Sequence, residues 1–166
     1  MNSSSFKIIN ASAGSGKTTS LVYHFLLRLF LESDDSGYRN MLALTFTNKA
    51  VNEVKKRILE GLYNLGYEDQ SNQIKRLKKN LLDNLNINSN ELKDRSQRIL
   101  KNILHEYAAF EVITLDSFTN KIIRNFSREL NLPPSYDLII ESKQTFQDIT
   151  NRIFEKVGTD KSLTKL

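Results

Sequence analysis

Cysteine is absent from the sequence. This absence excludes disulfide bonds and thiolate metal sites, and it fits a protein of the reducing cytoplasm. A long hydrophobic segment is also lacking: the longest apolar run, residues 21–31, contains His24 and Arg28 and is too short and too polar to span a bilayer. The first ten residues have no cationic stretch before an apolar core, so no signal peptide is expected. We therefore predict a cytoplasmic protein with no membrane partner.

The residues that are present describe an ordinary soluble domain with a basic excess. The chain has 166 residues, of which 39% are hydrophobic and 26% charged, values typical of one globular domain. The net charge of +5 favours an anionic partner without identifying it. His24 and His105 lie alone on predicted helices, and neither is assigned a role. The basic clusters at 55–57 and 75–79 are interpreted as solvated helix faces.

The alternation of apolar segments predicts an α/β fold with a parallel sheet. Short β-favouring runs occur at 6–10, 40–46 and 110–115, whereas apolar residues recur every three or four positions at 17–32 and 47–62. The first kind of run is typical of buried strands, and the second spacing is typical of amphipathic helices. Strands that alternate with helices in this order form parallel sheets.

The segment from 67 to 109 departs from this pattern and is predicted to be an inserted helical hairpin. Its two amphipathic candidates lie at about 71–85 and 91–108, on either side of an asparagine-rich joint. The rest of the chain favours helices. The predictions there are a helix at 118–130 capped by Asp116 or Ser117, a stop at the prolines 133–134, an apolar piece at 136–140 and a final helix near 142–157.

Residues 11–18, ASAGSGKT, have the spacing of a phosphate-binding loop, with Ala11 in place of the first glycine. In such a loop, backbone N–H groups and the positive end of the following helix hold the phosphates. Lys17 then reaches the β- and γ-phosphates, and the Thr18 hydroxyl ligates Mg²⁺. The predicted catalytic residues are Lys17 and Thr18, the metal ligand is Thr18, and the predicted nucleotide-binding residues are Ala13, Gly14, Ser15, Gly16, Lys17, Thr18 and Thr19.

Two strand ends carry hydroxyl and aromatic side chains. Thr45-Phe46-Thr47 ends the second run, and Asp116-Ser117-Phe118 follows the third. Hydroxyls and N–H groups at a helix start bind backbone phosphates, and an aromatic ring stacks on a base. Strand ends of a parallel sheet share the edge where ligands bind. Two interpretations of Phe46 and Phe118 stay open, a ring for stacking and a core residue at a strand end.

Together, ASAGSGKT, TFTNKAVNEVKKRI and VITLDSF resemble motifs I and Ia and the following DNA-contact motif of the UvrD/RecB-like superfamily 1 DNA helicases. They have the same order and the same strand–helix context, and the resemblance covers most of residues 6–130. The first motif is more similar to the AddA/RecB branch than to the Rep/UvrD branch. The resemblance implies a partial P-loop NTPase sheet of RecA-like fold, ATP and Mg²⁺ as cofactors, and ATP-driven translocation along single-stranded DNA during DNA repair.

Residue by residue, the resemblance implies that Lys17 and Thr18 handle phosphate and Mg²⁺. The residues that it implies along the path of single-stranded DNA are Thr45, Phe46, Thr47, Asn48, Thr114, Ser117 and Phe118. Many relatives have histidine where this chain has Asp116. Because an aspartate is unfavourable near phosphates, Asp116 is expected to cap its helix instead.

The Asp-Glu pair with which this family holds Mg²⁺ and orients the attacking water is absent from the 166 residues. We therefore expect the N-terminal piece of a longer helicase, inactive in hydrolysis by itself, whose candidate partners include a nuclease subunit. The expected domains are a partial RecA-like domain at 1–132, with its insert at 67–109, and the start of a helical subdomain at 133–166. A three-stranded parallel sheet leaves an unpaired edge, which predicts marginal stability or self-association.

Two other functions are compatible with the residues. One is a compact P-loop kinase in which Asp116 is the magnesium carboxylate, because "VITLD" imitates the missing acidic motif. The motif TFTNKA argues against this interpretation. The other is a stand-alone module that binds nucleic acid and in which a nucleotide is structural; its single-strand binding would persist after Lys17→Ala and depend steeply on salt.

Overall fold

The computed structural model of the protein describes residues 16–67, 71–133 and 142–156. The predicted strand at 6–10, most of the phosphate-binding loop and the apolar piece at 136–140 lie outside these residues. Contacts divide the chain into two units, Met1–Ile122 and Ile123–Leu166, and each unit is described by itself.

Each of the two described strands is followed by a helix, as the apolar pattern predicts. In chain order they are α1 (Lys17–Leu31), a 3₁₀ helix (Gly37–Asn40), β1 (Leu42–Thr45), α2 (Asn48–Tyr67), α3 (Asn72–Leu82), α4 (Ser89–His105), a second 3₁₀ helix (Tyr107–Ala109), β2 (Glu111–Thr114), α5 (Leu115–Asn125) and α6 (Ser142–Lys156).

The two described strands form a parallel sheet in which Ala43 lies opposite Val112 and Thr45 lies opposite Thr114. Ala43 and Val112 are buried, on the face that α2 covers. Leu42 and Leu44 point to the other face, because successive side chains of a strand alternate, and both are exposed. The sheet is therefore parallel and covered on one face by described helices, which confirms the α/β class for this part of the chain.

The core of the first unit lies between α1, α2 and α4. Apolar residues at helical spacing face it from each helix, which is why these segments form amphipathic helices. The buried members are Val22, Phe25, Leu26, Leu29 and Phe30 of α1, Val54, Ile58, Leu62 and Leu65 of α2, and Leu92, Ile99, Leu100 and Ile103 of α4. Gly66 permits a close approach of α2 to α4, because a Cβ atom there would lie 2.9 Å from Cγ of Gln97.

The segment predicted to be an insert contains two helices, α3 and α4. The first is shorter than predicted, and the second begins two residues before and ends three residues before its predicted bounds. Ser71 and Asn88 cap them, since their side-chain oxygens accept hydrogen bonds from the N–H groups of Ile74 (3.4 Å) and Glu91 (2.9 Å). The asparagine-rich joint thus stops one helix and starts the next. Because α4 packs along α2, the insert contributes to the core.

An ion-pair cluster fastens α4 to the end of α1. Arg95 is largely buried and donates hydrogen bonds to Asp35 Oδ1 (3.1 Å) and to the carbonyl oxygens of Phe30 (2.9 Å) and Glu32 (3.0 Å). Arg98 donates to Asp35 Oδ2 (2.5 Å). Burial alone would raise the pKa of Asp35, but the hydrogen bonds and charges of Arg98 and Arg95 outweigh it and hold this pKa below its ordinary value.

The predicted cap of α5 is wrong. The helix begins at Leu115, three residues earlier than predicted, and the Thr114 side chain accepts a hydrogen bond from the N–H of Ser117 (3.1 Å). Asp116 and Ser117 therefore lie inside the first turn instead of before it. In the second unit, α6 has an apolar stripe whose described members, Phe146, Ile149, Ile153 and Phe154, are exposed.

Candidate nucleotide and nucleic-acid site

The start of α1 has the backbone that a phosphate-binding loop requires at its end. Gly16 precedes the helix with φ 82° and ψ 24°, a left-handed conformation that favours glycine because it has no Cβ atom. The Ser20 N–H donates the first helical hydrogen bond, to the Gly16 carbonyl (2.8 Å). The N–H groups of Lys17, Thr18 and Thr19 come before this first helical hydrogen bond, and no acidic residue lies in the first turn. This helix end suits an anion.

Four of the seven predicted nucleotide-binding residues can be located. Gly16, Lys17 and Thr19 are exposed and Thr18 is half-buried, whereas Ala13, Gly14 and Ser15 lie outside the described residues. Across the described ranges, histidine and acidic side chains form no group of three or more that could hold a metal ion. A Thr18 hydroxyl together with phosphate oxygens and water is a set of ligands that Mg²⁺ accepts, so these residues fit Mg²⁺ bound to a nucleotide.

The end of β1 passes directly into a capped helix. Thr47 Oγ1 accepts a hydrogen bond from the Ala50 N–H (3.1 Å), and the Thr45 hydroxyl donates to the Thr47 carbonyl (3.2 Å). Between these threonines the Phe46 ring is 85% exposed. The interpretation of Phe46 as a core residue is therefore wrong, and its ring is available for stacking.

The end of β2 repeats this arrangement with a buried cap. Thr114 is only 7% exposed, and its hydroxyl shares a hydrogen bond with Ser117 Oγ (2.8 Å). Ser117 is exposed in the first turn of α5, and the Phe118 ring is half-buried. Thr114 thus fixes the helix start, whereas Ser117 presents a hydroxyl at the surface. Asp116, also exposed, lies where the positive helix end favours a carboxylate.

Both helix starts lie at the same sheet edge, because Thr45 and Thr114 are partners in the ladder. Adjacent strands are about 4.8 Å apart, so the chain enters α2 and α5 from neighbouring strand ends, and Phe46 is exposed at the end of β1. Two positive helix ends, exposed hydroxyls and a ring are suited to a phosphate backbone with unstacked bases. The sequence prediction that these strand ends meet is confirmed for β1 and β2.

Arg57 connects the start of α1 to α2. Its Nη1 donates to Thr19 Oγ1 (3.2 Å) and its Nη2 lies 2.8 Å from Glu53 Oε1. Arg57 follows Asn48 by nine residues, which is about 13.5 Å along the helix axis. The first turn of α1 is thus held beside the middle of α2. A cavity of about 1230 Å³ opens there, lined by Gly16, Thr19 and Arg57 together with residues of α3.

Two basic residues that sequence reasoning left as a solvated face have specific contacts. One is Arg57. The other is Lys55, whose ammonium group lies 4.7 Å from the Tyr107 ring centroid and 5.6 Å from that of Phe110; burial lowers the pKa of Lys55. The signal that was available is the spacing of Glu53 and Arg57, an i, i+4 pair on one helix face. The contact with Thr19 has no local sequence signal.

Comparison with known proteins places this chain in a family. The UvrD/REP helicase N-terminal domain matches residues 2–165. An ATP-dependent helicase/nuclease subunit of Clostridium kluyveri is 27% identical over 158 residues, which cover 94% of this chain and 11% of the relative. The protein of the same name from Listeria monocytogenes is 32% identical over 152 residues, 90% of this chain and 10% of the relative.

The chain therefore spans about a tenth of the length of the curated relatives that it matches. No solved structure matches it. In the described stretches, no helix combines the length and the apolar character that crossing a bilayer requires.

Proposed function

The chain belongs to the UvrD/REP helicase N-terminal domain family, and from this premise we propose that it is the ATP-binding and DNA-contacting segment of an ATP-dependent DNA helicase of recombinational repair. The family membership agrees with the resemblance of its three motifs and favours this function over a compact kinase. Two of the relatives are named as helicase/nuclease subunits, so a nuclease activity or subunit is part of the proposal. We place the protein in the cytoplasm.

The nucleotide site of this proposal is the loop that ends at Gly16, together with the start of α1. Lys17 and the first-turn N–H groups bind and orient the phosphates, and the Thr18 hydroxyl holds Mg²⁺. Bound ATP supplies the free energy of its hydrolysis. Because the 166 residues contain no Asp-Glu pair, we propose that the carboxylates that orient the attacking water belong to another part of the protein, and that this segment alone does not hydrolyse ATP.

The DNA site of this proposal is the edge where α2 and α5 begin, and the pairing of Thr45 with Thr114 is the observation that carries it. Phe46 stacks on a base, while Thr47, Asn48 and Ser117 bind phosphates through hydroxyls and first-turn N–H groups. The remaining predicted residues have supporting roles. Thr45 and Thr114 stabilise the two turns, and the half-buried Phe118 packs beside the proposed DNA site.

The test is ATP hydrolysis by the full-length protein with and without oligo(dT), together with oligo(dT) binding. We expect hydrolysis that single-stranded DNA stimulates, and its loss in Lys17→Ala, while Lys101→Ala on the exposed surface of α4 behaves as wild type. Hydrolysis that survives Lys17→Ala would refute the nucleotide site. Single-strand binding without ATP turnover would instead support the stand-alone module, and phosphoryl transfer to a nucleoside would support the kinase.

A further inference from the structure

Arg57 has contacts in two directions that link the two proposed sites. Toward α1, its guanidinium donates to Thr19 Oγ1 at 3.2 Å, one residue from the proposed Mg²⁺ ligand Thr18. Within α2, it pairs with Glu53 at 2.8 Å, one turn closer to the helix start. The planar guanidinium has several N–H donors in a fixed geometry, so a single side chain holds both partners at once. Arg57 thus attaches the first turn of α1 to α2.

The helix α2 leads from this attachment to the proposed DNA contacts. It is one continuous helix from Asn48 to Tyr67, so its hydrogen-bonded backbone transmits a displacement at Arg57 to its start. Its N-terminal end is the turn formed by Phe46 and Thr47. A movement of the first turn of α1 that pulls on Arg57 therefore also moves the start of α2. The start lies about 13.5 Å from Arg57 along the helix axis.

A ligand on α1 also has direct access to Arg57. The Arg57 side chain is 44% exposed and lines the cavity of about 1230 Å³ that Gly16 and Thr19 border. An anion bound at the first turn of α1 competes with the neutral Thr19 hydroxyl for the Arg57 N–H donor, since an ionised acceptor forms the stronger hydrogen bond. Occupied and empty nucleotide sites thus give Arg57 different partners, which is the differential contact that coupling requires.

We propose that Arg57 is the positioning residue that couples nucleotide binding at the start of α1 to single-strand binding at the start of α2. The inference rests on the proposed function, because it assigns the link between those two sites. It gives a role to a residue outside the predicted nucleotide-binding and DNA-binding residues.

The test measures coupling as a ratio in the full-length protein. The dissociation constant of a non-hydrolysable ATP analogue is determined by calorimetry with and without saturating oligo(dT), and that of oligo(dT) with and without the analogue. The two ratios must agree, because coupling of binding is reciprocal. We expect a wild-type ratio in the usual range of about 5- to 150-fold, and in Arg57→Gln a ratio within about twofold of one.

Lys56 provides the matched control. It is the adjacent cation of α2, it is exposed, and it forms an i, i+4 pair with Glu60 instead of a bridge to α1. Lys56→Gln therefore removes the same charge and should keep the wild-type ratio. Arg57→Lys should give an intermediate ratio, because one ammonium group does not reproduce the geometry of the guanidinium.

A second variant guards against a folding defect in Arg57→Gln, which circular dichroism would detect. Thr19→Val removes the α1 acceptor with almost no change of shape, and its ratio should also fall toward one. The inference is overturned if the wild-type protein binds both ligands without coupling, or if both variants keep the wild-type ratio. If the wild-type protein binds neither ligand, it is the proposed function that fails.

Discussion

Thr45 and Thr114 are partners at the ends of two parallel strands, and the chain enters a helix within three residues of each. Both hydroxyls are used in the turns that follow, Thr45 with the Thr47 carbonyl and Thr114 with Ser117. A parallel ladder aligns the two strand ends, so it also aligns the two helix starts. The sheet thereby creates a surface with two positive helix ends from segments about 70 residues apart in the chain.

The cap at Thr114 should contribute measurably to stability. In Thr114→Val the buried side chain keeps its shape but loses the oxygen that accepts the Ser117 N–H. We expect a loss of about 1 kcal/mol, as is typical for an N-cap, seen as a lower midpoint in urea unfolding. Thr114→Ser retains the acceptor and should cost less. A Val variant as stable as the wild-type protein would show that this cap is energetically neutral.

Phe46 should affect DNA binding without affecting stability. Its ring is 85% exposed, so Phe46→Ala removes little packing. The loss of stacking between a base and the ring should weaken DNA binding by about 1–3 kcal/mol. Fluorescence anisotropy with labelled oligo(dT) should therefore show an affinity at least about fivefold lower, with an unchanged unfolding midpoint. Tyr67→Ala, which removes an aromatic ring of 57% exposure from the other end of α2, is the control and should bind DNA normally. Equal affinities of the two variants would contradict a stacking role for Phe46.

Local sequence patterns predicted the elements of this site well, because their signals are short-range. Alternating apolar segments identified both strands and the helices that follow them, and the parallel order followed from their alternation. The start of α5 was misplaced because Thr114, Asp116 and Ser117 are all good capping residues. The choice among them depended on where β2 ends against β1, a tertiary contact that no local pattern contains.

The contacts that fasten the helices to one another could not be predicted. Arg57 reaches Thr19 across 38 positions and Arg95 reaches Asp35 across 60. From the sequence, Arg57 is interpreted as part of a solvated helix face and Arg95 has no assigned role. Charged side chains on amphipathic helices are mostly exposed, which makes that interpretation the reasonable one in the absence of coordinates. The partner of each arginine is a polar group on another element, and only the packing of α1 against α2 and α4 brings the two together.

The two ion pairs of Asp35, with Arg95 and with Arg98, predict that the stability of the protein depends on pH. Because the folded state holds the pKa of Asp35 below its ordinary value of 3.8, these pairs stabilise the protein above that pH, and this stabilisation is lost as the pH falls through the folded-state pKa. Asp35→Asn should cost roughly 1–3 kcal/mol at pH 7, since the largely buried Arg95 loses its counter-charge. In urea unfolding the difference from wild type should shrink below about pH 4. A difference that stays constant from pH 7 to pH 3 would contradict the assignment.

The exposed stripe of α6 should make the 166-residue chain self-associate. Phe146, Ile149 and Ile153 recur at three and four positions and are 66%, 49% and 47% exposed, a pattern that suits burial against another surface. We expect the mass measured by analytical ultracentrifugation to rise with protein concentration. The double variant with Phe146→Glu and Ile153→Glu should show a smaller rise. Asn151→Glu adds negative charge to the opposite face of the same helix and should associate as wild type does. A chain that is monomeric at every concentration would show that the stripe does not cause self-association. If the double variant associates as the wild-type chain does, the exposed Leu42 and Leu44 of the sheet are the surface to change next.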